Sequence, residues 1–300
     1  MSTTTGEERA NRPAIGNSFV ADVWINLKRW LIKTIRNPFV VFSALFQPII
    51  FLVLFTAIFG QVTQGALRGA LGTNVSYVTY LTPAIIIQSA LVAAAGSGIG
   101  LVDDMENGMF EKVLASPINR SAMFLGKALS EIVRIILQTI MILVLGYVLV
   151  WFDTGGEVGA YIQTGVVGAL GIIVIAIVFA LWFTAFSNIV GLVTQDTEST
   201  IIGANLLQFP LLFVSSAFLP VNILPEWVQV VATFNPITYG VDAARALMLG
   251  QDVLTVLDVT VFSGIWNTLV PALVVLVALD LVLGGIAVRF LNRASSSAAQ

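Results

Sequence analysis

Six apolar runs, each near the length that carries a helix across a lipid bilayer, fall along this chain at about 39–60, 78–102, 129–151, 161–186, 201–219 and 265–290. A helix rises about 1.5 Å per residue, so roughly 20 apolar residues cover a hydrocarbon core of about 30 Å. The fold class expected is an all-α integral membrane protein with about six transmembrane helices. Composition agrees: charged residues make up only 10% of the 300, against about a quarter in soluble domains.

The chain has no cysteine and no histidine. Disulfides, thiolate or imidazole metal sites, and catalysis by a histidine base or cysteine nucleophile are excluded with them. No metal site, no catalytic residue and no nucleic-acid partner is expected. A two-aspartate hydrolase within the membrane also fails, because Asp280 is the only aspartate that the pattern of runs clearly buries.

An even number of spans puts both termini on one side, and basic residues choose it, since the cytoplasmic side retains Lys and Arg near span ends. With the amino terminus inside, Arg9, Arg12, Lys28, Arg29, Lys33, Arg36, Lys112, Arg120, Lys127, Arg289 and Arg293 are cytoplasmic. That is 11 of the 14 basic residues, against Arg68 and Arg245 outside and Arg134 within a span. The expected organisation is a disordered cytoplasmic tail at 1–17, an amphipathic interfacial helix at 18–36, the six-span unit at 38–291 and a cytoplasmic tail at 292–300. In the interfacial helix Phe19, Val23, Leu27, Trp30, Leu31 and Ile35 share one face, and Asp22, Asn26, Arg29, Lys33 and Arg36 share the other. It lies in the inner membrane surface as an anchor, or acts as a lever beside a partner subunit; both readings stand.

Between the second and third runs lies a charged island, 103–120. Asp103, Asp104 and Glu106 suit the first turn of a helix, where negative charge complements the dipole. Met105, Met109, Phe110, Val113 and Leu114 form a stripe, Glu111 and Lys112 flank it, and Ser116-Pro117 stops it. Such a helix either packs on its own spans or is gripped by a soluble partner.

The island resembles the first cytoplasmic loop of type 2 ABC exporter permeases through Glu106, Gly108, Glu111, Val113, Leu114, Pro117, Arg120, Gly126 and Lys127 in that order. Asp103-Asp104 departs from the pattern, standing where a basic residue is usual. A longer match, FLPVNILPEW at 218–227 and FNPITYGVDAAR at 234–245, is similar to the daunorubicin-resistance-like branch of those permeases. The resemblance implies a permease subunit that exports an amphipathic, drug-like or lipid-linked solute across the cell membrane. It implies a homodimer of permeases and two copies of an ABC-type ATP-binding subunit, which bind ATP and Mg. No cofactor is expected in this chain. Its one Gly-Lys pair, Gly126-Lys127-Ala128, lacks the hydroxyl and the spacing of a phosphate-cradling loop. Glu106, Gly108, Met109, Phe110, Glu111, Val113, Leu114, Pro117 and Arg120 become the coupling helix and its ATPase contact.

Past the fifth run, prolines break the helix and Trp227 suits an interface, so short helices that dip back into the membrane are expected there. Pro220, Pro225, Trp227, Asn235, Pro236, Tyr239 and Arg245 are the candidate extracellular gate, unless the segment merely packs on the span tops. Charge inside a membrane is costly, about 2.5 to 3.5 kcal/mol per residue on insertion scales, and calls for partners. Lys127, Glu131 and Arg134 can pair along one face of the third span. Asp280 either meets a polar group on another span or lines the pathway. The alternative function is an ion-gradient-driven secondary transporter with Asp280 as its coupling carboxylate. Gly96 and Gly100 mark close packing, within the subunit or between subunits.

Overall fold

The structure, a computed structural model, describes residues 18–71, 75–109, 112, 120–155, 161–254, 256–257 and 260–297. The expected tail at 1–17 lies outside them, as do most of 110–119. The described residues form ten α-helices and one short 3-10 turn, with no strand among them. In chain order they are α1 (Phe19–Ile35), α2 (Pro38–Phe59), α3 (Gln64–Leu71), α4 (Tyr77–Glu106), α5 (Arg120–Thr154), α6 (Gly165–Thr194), α7 (Thr197–Phe213), the turn Val221–Ile223, α8 (Glu226–Phe234), α9 (Pro236–Leu249) and α10 (Trp266–Ser297). Helices α4, α6, α10 and the Leu125–Thr154 part of α5 are long and apolar enough to cross a membrane; α2 and α7 supply two shorter members. Each of the six expected runs contains one of these helices, with 161–164 and 214–219 outside them.

α4 is the axis of the bundle. Its middle is buried on every side, and it touches α2, α5, α6, α7 and α9, with its largest contact on α6. That contact is set by Gly98: a Cβ there would stand 2.1 Å from the Ser187 carbonyl oxygen of α6. Ser187 uses the closeness, donating to the Ala95 carbonyl at 2.6 Å and accepting the Gly98 N–H at 3.1 Å, while Ser97 donates to Asn188 at 3.2 Å. These bonds explain why α6 runs to Thr194 rather than ending near 186. Polar residues that read as the start of a loop are satisfied inside the bundle, and the connection to α7 shrinks to Gln195 and Asp196. Gly96 and Gly100 serve internal packing: they face the Arg134 guanidinium and the Trp30 ring.

α1 lies against α5 at Gly126, where a Cβ would come within 2.6 Å of Asn26. Its orientation reverses the expected assignment of the polar side. Asp22, Asn26 and Trp30 are buried against the protein, and Phe19, Val20, Trp24, Ile25 and Ile35 are exposed. The expected apolar face is split, with Trp30 inside and Phe19 and Ile35 outside. The physical reason is that an interfacial helix has apolar surroundings on its lipid side, so its polar groups gain most by turning to partners on α4 and α5.

At its carboxyl end α10 continues to Ser297, beyond the expected boundary at 291. Buried aspartates are more numerous than expected. Asp242 is fully buried and Asp22 and Asp104 nearly so, whereas Asp280 is only half-buried.

Candidate functional site

Polar side chains gather at two ends of the bundle. At the end carrying α1, Asp103 and Asp104 sit in the last turn of α4, where the helix dipole opposes negative charge, and not in the first turn of a following helix. Cations from α1 offset that conflict. Lys33 donates to Asp103 at 2.7 Å and to Asp104 at 3.0 Å, and Arg29 donates to Asp104 at 3.0 Å. Partial burial pulls the Lys33 ammonium down, but the two carboxylates outweigh it and hold its pKa above the ordinary lysine value. The acidic pair that departs from the permease pattern is thus the socket for α1.

Trp30 stands at the centre of this end, with Arg29, Lys33 and Lys127 at 5.0, 4.8 and 4.9 Å from its ring centroid. Three cations around one indole face form a cation–π cluster that ties α1 to α5. Lys127 does not pair with Glu131 as its spacing allowed; its ammonium donates to the Ser97 carbonyl of α4. Glu131 pairs instead with Arg134 at 2.6 Å, and Arg134 also donates to the Ala93 carbonyl.

Two residues later α4 ends. Gly108 adopts φ +63°, the left-handed conformation that terminates helices, and its N–H reaches the Met105 carbonyl at 3.0 Å. Glu106 spans to α7, accepting the Thr197 N–H at 2.9 Å and the Thr197 hydroxyl at 3.0 Å. Asp196 caps the same turn by accepting the Ser199 N–H at 2.7 Å, and hydrogen bonds from the Ser199 hydroxyl first and its N–H second hold the Asp196 carboxyl below the usual range. The first turn of α7 therefore has two carboxylates on its orphan N–H groups. Met109 is exposed, and the chain then enters 110–119. Phe110, Glu111, Val113, Leu114 and Pro117 lie outside the described residues, and Arg120 opens α5.

At the opposite end the fifth span stops at Phe213, short of the expected 219, and the chain runs unwound through 214–220. Unwound backbone in an apolar interior must find its hydrogen bonds elsewhere. Asn235 supplies two, donating to the carbonyls of Leu211 and Val214 at 2.6 and 2.5 Å, while its own oxygen caps α9 by accepting the Ile237 N–H at 2.9 Å. Arg245 supplies two more: it donates to the carbonyls of Ser216 and Ala217 at 3.0 and 3.3 Å, and also to the Tyr80 carbonyl at 3.3 Å and to Asp242 at 3.0 Å, with Tyr80's ring 3.8 Å from its guanidinium carbon. Ser216 donates to the same Asp242 oxygen at 2.7 Å. Arg245 is only 1% exposed, so its place in the count of outer basic residues is corrected: it is a buried tie joining α9 to α4 and to the unwound segment.

The remaining gate candidates divide by exposure. Pro220 precedes the 3-10 turn, Pro225 and Pro236 start α8 and α9, and Tyr239 donates to the Thr233 carbonyl at 2.7 Å, bracing α8 on α9. Trp227 and Phe234 point outward from α8. Asp280 lies on α10, which packs on α6, and its Oδ1 is buried with no hydrogen-bond partner among the described residues. Sequence reasoning missed Tyr80, Thr197, Ser216 and Asp242. Of these, only Asp242 carried a signal, its i, i+3 spacing to Arg245 in an otherwise apolar stretch.

Comparison with known proteins adds a family match and three relatives. A family model described as ABC-2 type transporter matches residues 21–249. The chain is 25% identical over 265 residues to a chain of Cyanophora paradoxa named as a "transport permease ycf38", covering 88% of this chain and 87% of that one. It is 25% identical over 248 residues to the "Daunorubicin resistance ABC transporter permease protein DrrB1" of Streptomyces coeruleorubidus, covering 82% and 80%. It is 23% identical over 262 residues to the "Probable doxorubicin resistance ABC transporter permease protein DrrC" of Mycobacterium tuberculosis, covering 85% and 89%.

Proposed function

From membership of the ABC-2 type transporter family, to which this chain belongs, we propose that it is the membrane-spanning permease subunit of an ATP-driven exporter that moves an amphipathic, drug-like or lipid-linked solute out of the cell. Two copies of a separate ATP-binding subunit hold ATP and Mg, and a second copy of this chain completes the pathway. The protein sits in the plasma membrane with both termini in the cytoplasm. Moving Arg245 into the bundle supports that orientation, because it leaves Arg68 as the one basic residue assigned to the outer loops.

The observation that carries the coupling reading is the bond from Glu106 to Thr197. α4 leads directly into 110–119, the segment proposed to meet the ATPase through Met109, Phe110, Glu111, Val113, Leu114, Pro117 and Arg120. α7 leads the other way, to the unwound 214–220 segment, the proposed outer gate. One carboxylate thus joins the end that receives force to the helix that ends at the gate. The names of two of these relatives speak of daunorubicin and doxorubicin resistance, which supports an amphipathic drug-like substrate here.

The test is purification of the tagged protein from its own membranes, followed by reconstitution with any copurifying ATPase. ATP-dependent loading of a fluorescent amphipathic drug into inverted vesicles, abolished by altering Met109 and Glu111, supports the reading. Transport that instead follows an imposed ion gradient without ATP overturns it.

A further inference from the structure

Halfway through the bundle, two consecutive polar residues of α4 are buried without partners. Gln88 is 2% exposed and Ser89 4%, and among the described residues neither amide atom of Gln88, nor the Ser89 hydroxyl, has a hydrogen bond. Gln88 is the twelfth of the 30 residues of α4, and it shares a cavity with Pro48, the eleventh of the 22 of α2. The site therefore lies near the middle of the bilayer, where bulk solvent cannot satisfy it. Burying such groups unanswered carries their full desolvation penalty.

Size and polarity together select what can answer them. The cavity measures about 10 Å³ and is lined by Gln47 and Pro48 of α2 and by Gln88, Ser89 and Val92 of α4. A single water needs about 10 to 15 Å³ and two to four polar partners, so this space takes one water and nothing larger. Gln88 offers an acceptor at Oε1 and a donor at Nε2, and the Ser89 hydroxyl can act as either. A metal cation cannot accept from Nε2, an anion cannot donate to Oε1, and no charged side chain among the described residues lines the space. Water does both. Pro48 adds a further acceptor, because without an N–H it leaves the Ala44 carbonyl lacking its helical donor, a loss that ordered water makes good in membrane helices.

We propose that Gln88 and Ser89 hold one resident water molecule against Pro48, bridging α4 to α2 at the bilayer midplane. A direct bond between side chains would fix the two helices at one angle, whereas a bridging water re-aims its bonds as α2 turns about Pro48. The contact is a wet joint in an apolar layer, with Ile85, Ile87 and Leu91 fully buried around it.

The experiment is X-ray hydroxyl-radical labelling of the full chain in lipid nanodiscs, in oxygen-18 water, with residue-level mass spectrometry. Radicals formed from a bound water oxidise the side chains beside it, so buried Pro48 is expected to take up label while lipid-facing Val53 is not. An unlabelled Pro48 overturns the proposal, and equal labelling of Val53 overturns it in favour of water that merely penetrates along α2. Gln88→Met with Ser89→Ala removes the polar demand, and should abolish Pro48 labelling while moving the thermal midpoint by no more than about 3 °C. A rise of about 6 °C or more in that variant means the wild-type atoms were dry and unsatisfied, which also overturns it. Val92→Leu crowds the water out, and should lower the midpoint by about 4 °C in the wild type and by less than half as much in the Gln88→Met, Ser89→Ala background. Equal losses in the two backgrounds mean plain overpacking and sink the idea. Pro48 labelling that changes when Na⁺ is exchanged for N-methylglucamine assigns the site to an ion instead of water.

Discussion

Arg245 lies one helical turn after Asp242 on α9, its Nη1 3.0 Å from the aspartate Oδ1, and neither residue reaches the surface. The pair is the keystone of the unwound turn, because Arg245 also satisfies two consecutive carbonyls, of Ser216 and Ala217, inside the break between α7 and α8. Replacing one partner of a buried pair leaves the other charge uncompensated. Arg245→Met is therefore expected to lower stability by about 3 to 5 kcal/mol. Arg245→Met with Asp242→Asn should recover part of that loss, and thermal unfolding of the detergent-solubilised protein measures both.

Asn235 has two separable duties, tying down the Leu211 and Val214 carbonyls and capping α9. Asn235→Asp retains an acceptor for the cap but loses both donors, while Asn235→Ala loses everything. The aspartate variant should nonetheless be the less stable, by about 1 to 3 kcal/mol, because it turns a buried carboxyl toward the Leu211 and Val214 carbonyls, which outweighs the roughly 1 kcal/mol of the N-cap it keeps. Under the proposed function both variants open or jam the gate, so ATP-dependent export falls or substrate leaks. Export indistinguishable from wild type in both would remove the segment from the gating role.

The Glu106–Thr197 contact predicts non-additivity. Glu106→Ala and Thr197→Ala should each reduce ATP-driven transport, and the double variant should do little more damage than either alone. A coupling energy of about 0.5 to 1.5 kcal/mol in a double-mutant cycle matches one charged-acceptor contact. Purely additive losses would mean that Glu106 acts elsewhere.

Docking of α1 depends on Lys33 staying charged. Its folded pKa is raised, so the stabilisation is fully present below the unfolded lysine value of about 10.4 and is lost as pH rises through the folded value. Limited proteolysis at the α1–α2 junction should be flat from neutral pH to about 10 and accelerate only above that. Because the pair is half-exposed, Lys33→Met should cost no more than about 1 kcal/mol, less at high salt.

Glycines two residues apart should behave differently. Gly98→Ala sets a Cβ against the backbone oxygen of Ser187 at 2.1 Å, and backbone cannot yield; overpacking of this kind costs about 1 to 3 kcal/mol. Gly96→Ala meets only the end of the Arg134 side chain at 3.2 Å, which can shift. Expression and thermal midpoint should fall for the first and hold for the second.

Where apolar runs were continuous, the sequence announced each helix, and Asn37-Pro38 announced a break. What stayed hidden has a common cause: a polar side chain reads as exposed until its partner is known. Ser187 and Asn188 looked like the end of a span, yet their bonds lie on α4. Asp22 and Asn26 looked like a solvated face, yet α5 covers them. Arg245 looked like an outer-loop charge, although three carbonyls and a tyrosine ring await it in the interior. Asp103 and Asp104 looked like a helix start because the cations that tolerate them at a helix end come some 70 residues earlier. Glu106 and Gly108 were legible as a motif, and the structure supplies their local reasons, a cap for α7 and a stop for α4.

α9 has 14 residues, too few to cross a bilayer, for which about 20 are needed. It also contains a charge pair that lipid alone would reject. It therefore enters the protein by folding and not by insertion. The carbonyls that receive Arg245 belong to α4 and the end of α7, both synthesised earlier, so the site must exist before α9 can take its place. Locking of α9 therefore depends on α4 and the unwound segment being in place. A biogenesis defect in α4 or in the unwound segment would then leave α9 without its carbonyl partners, its Asp242–Arg245 pair answered only by each other.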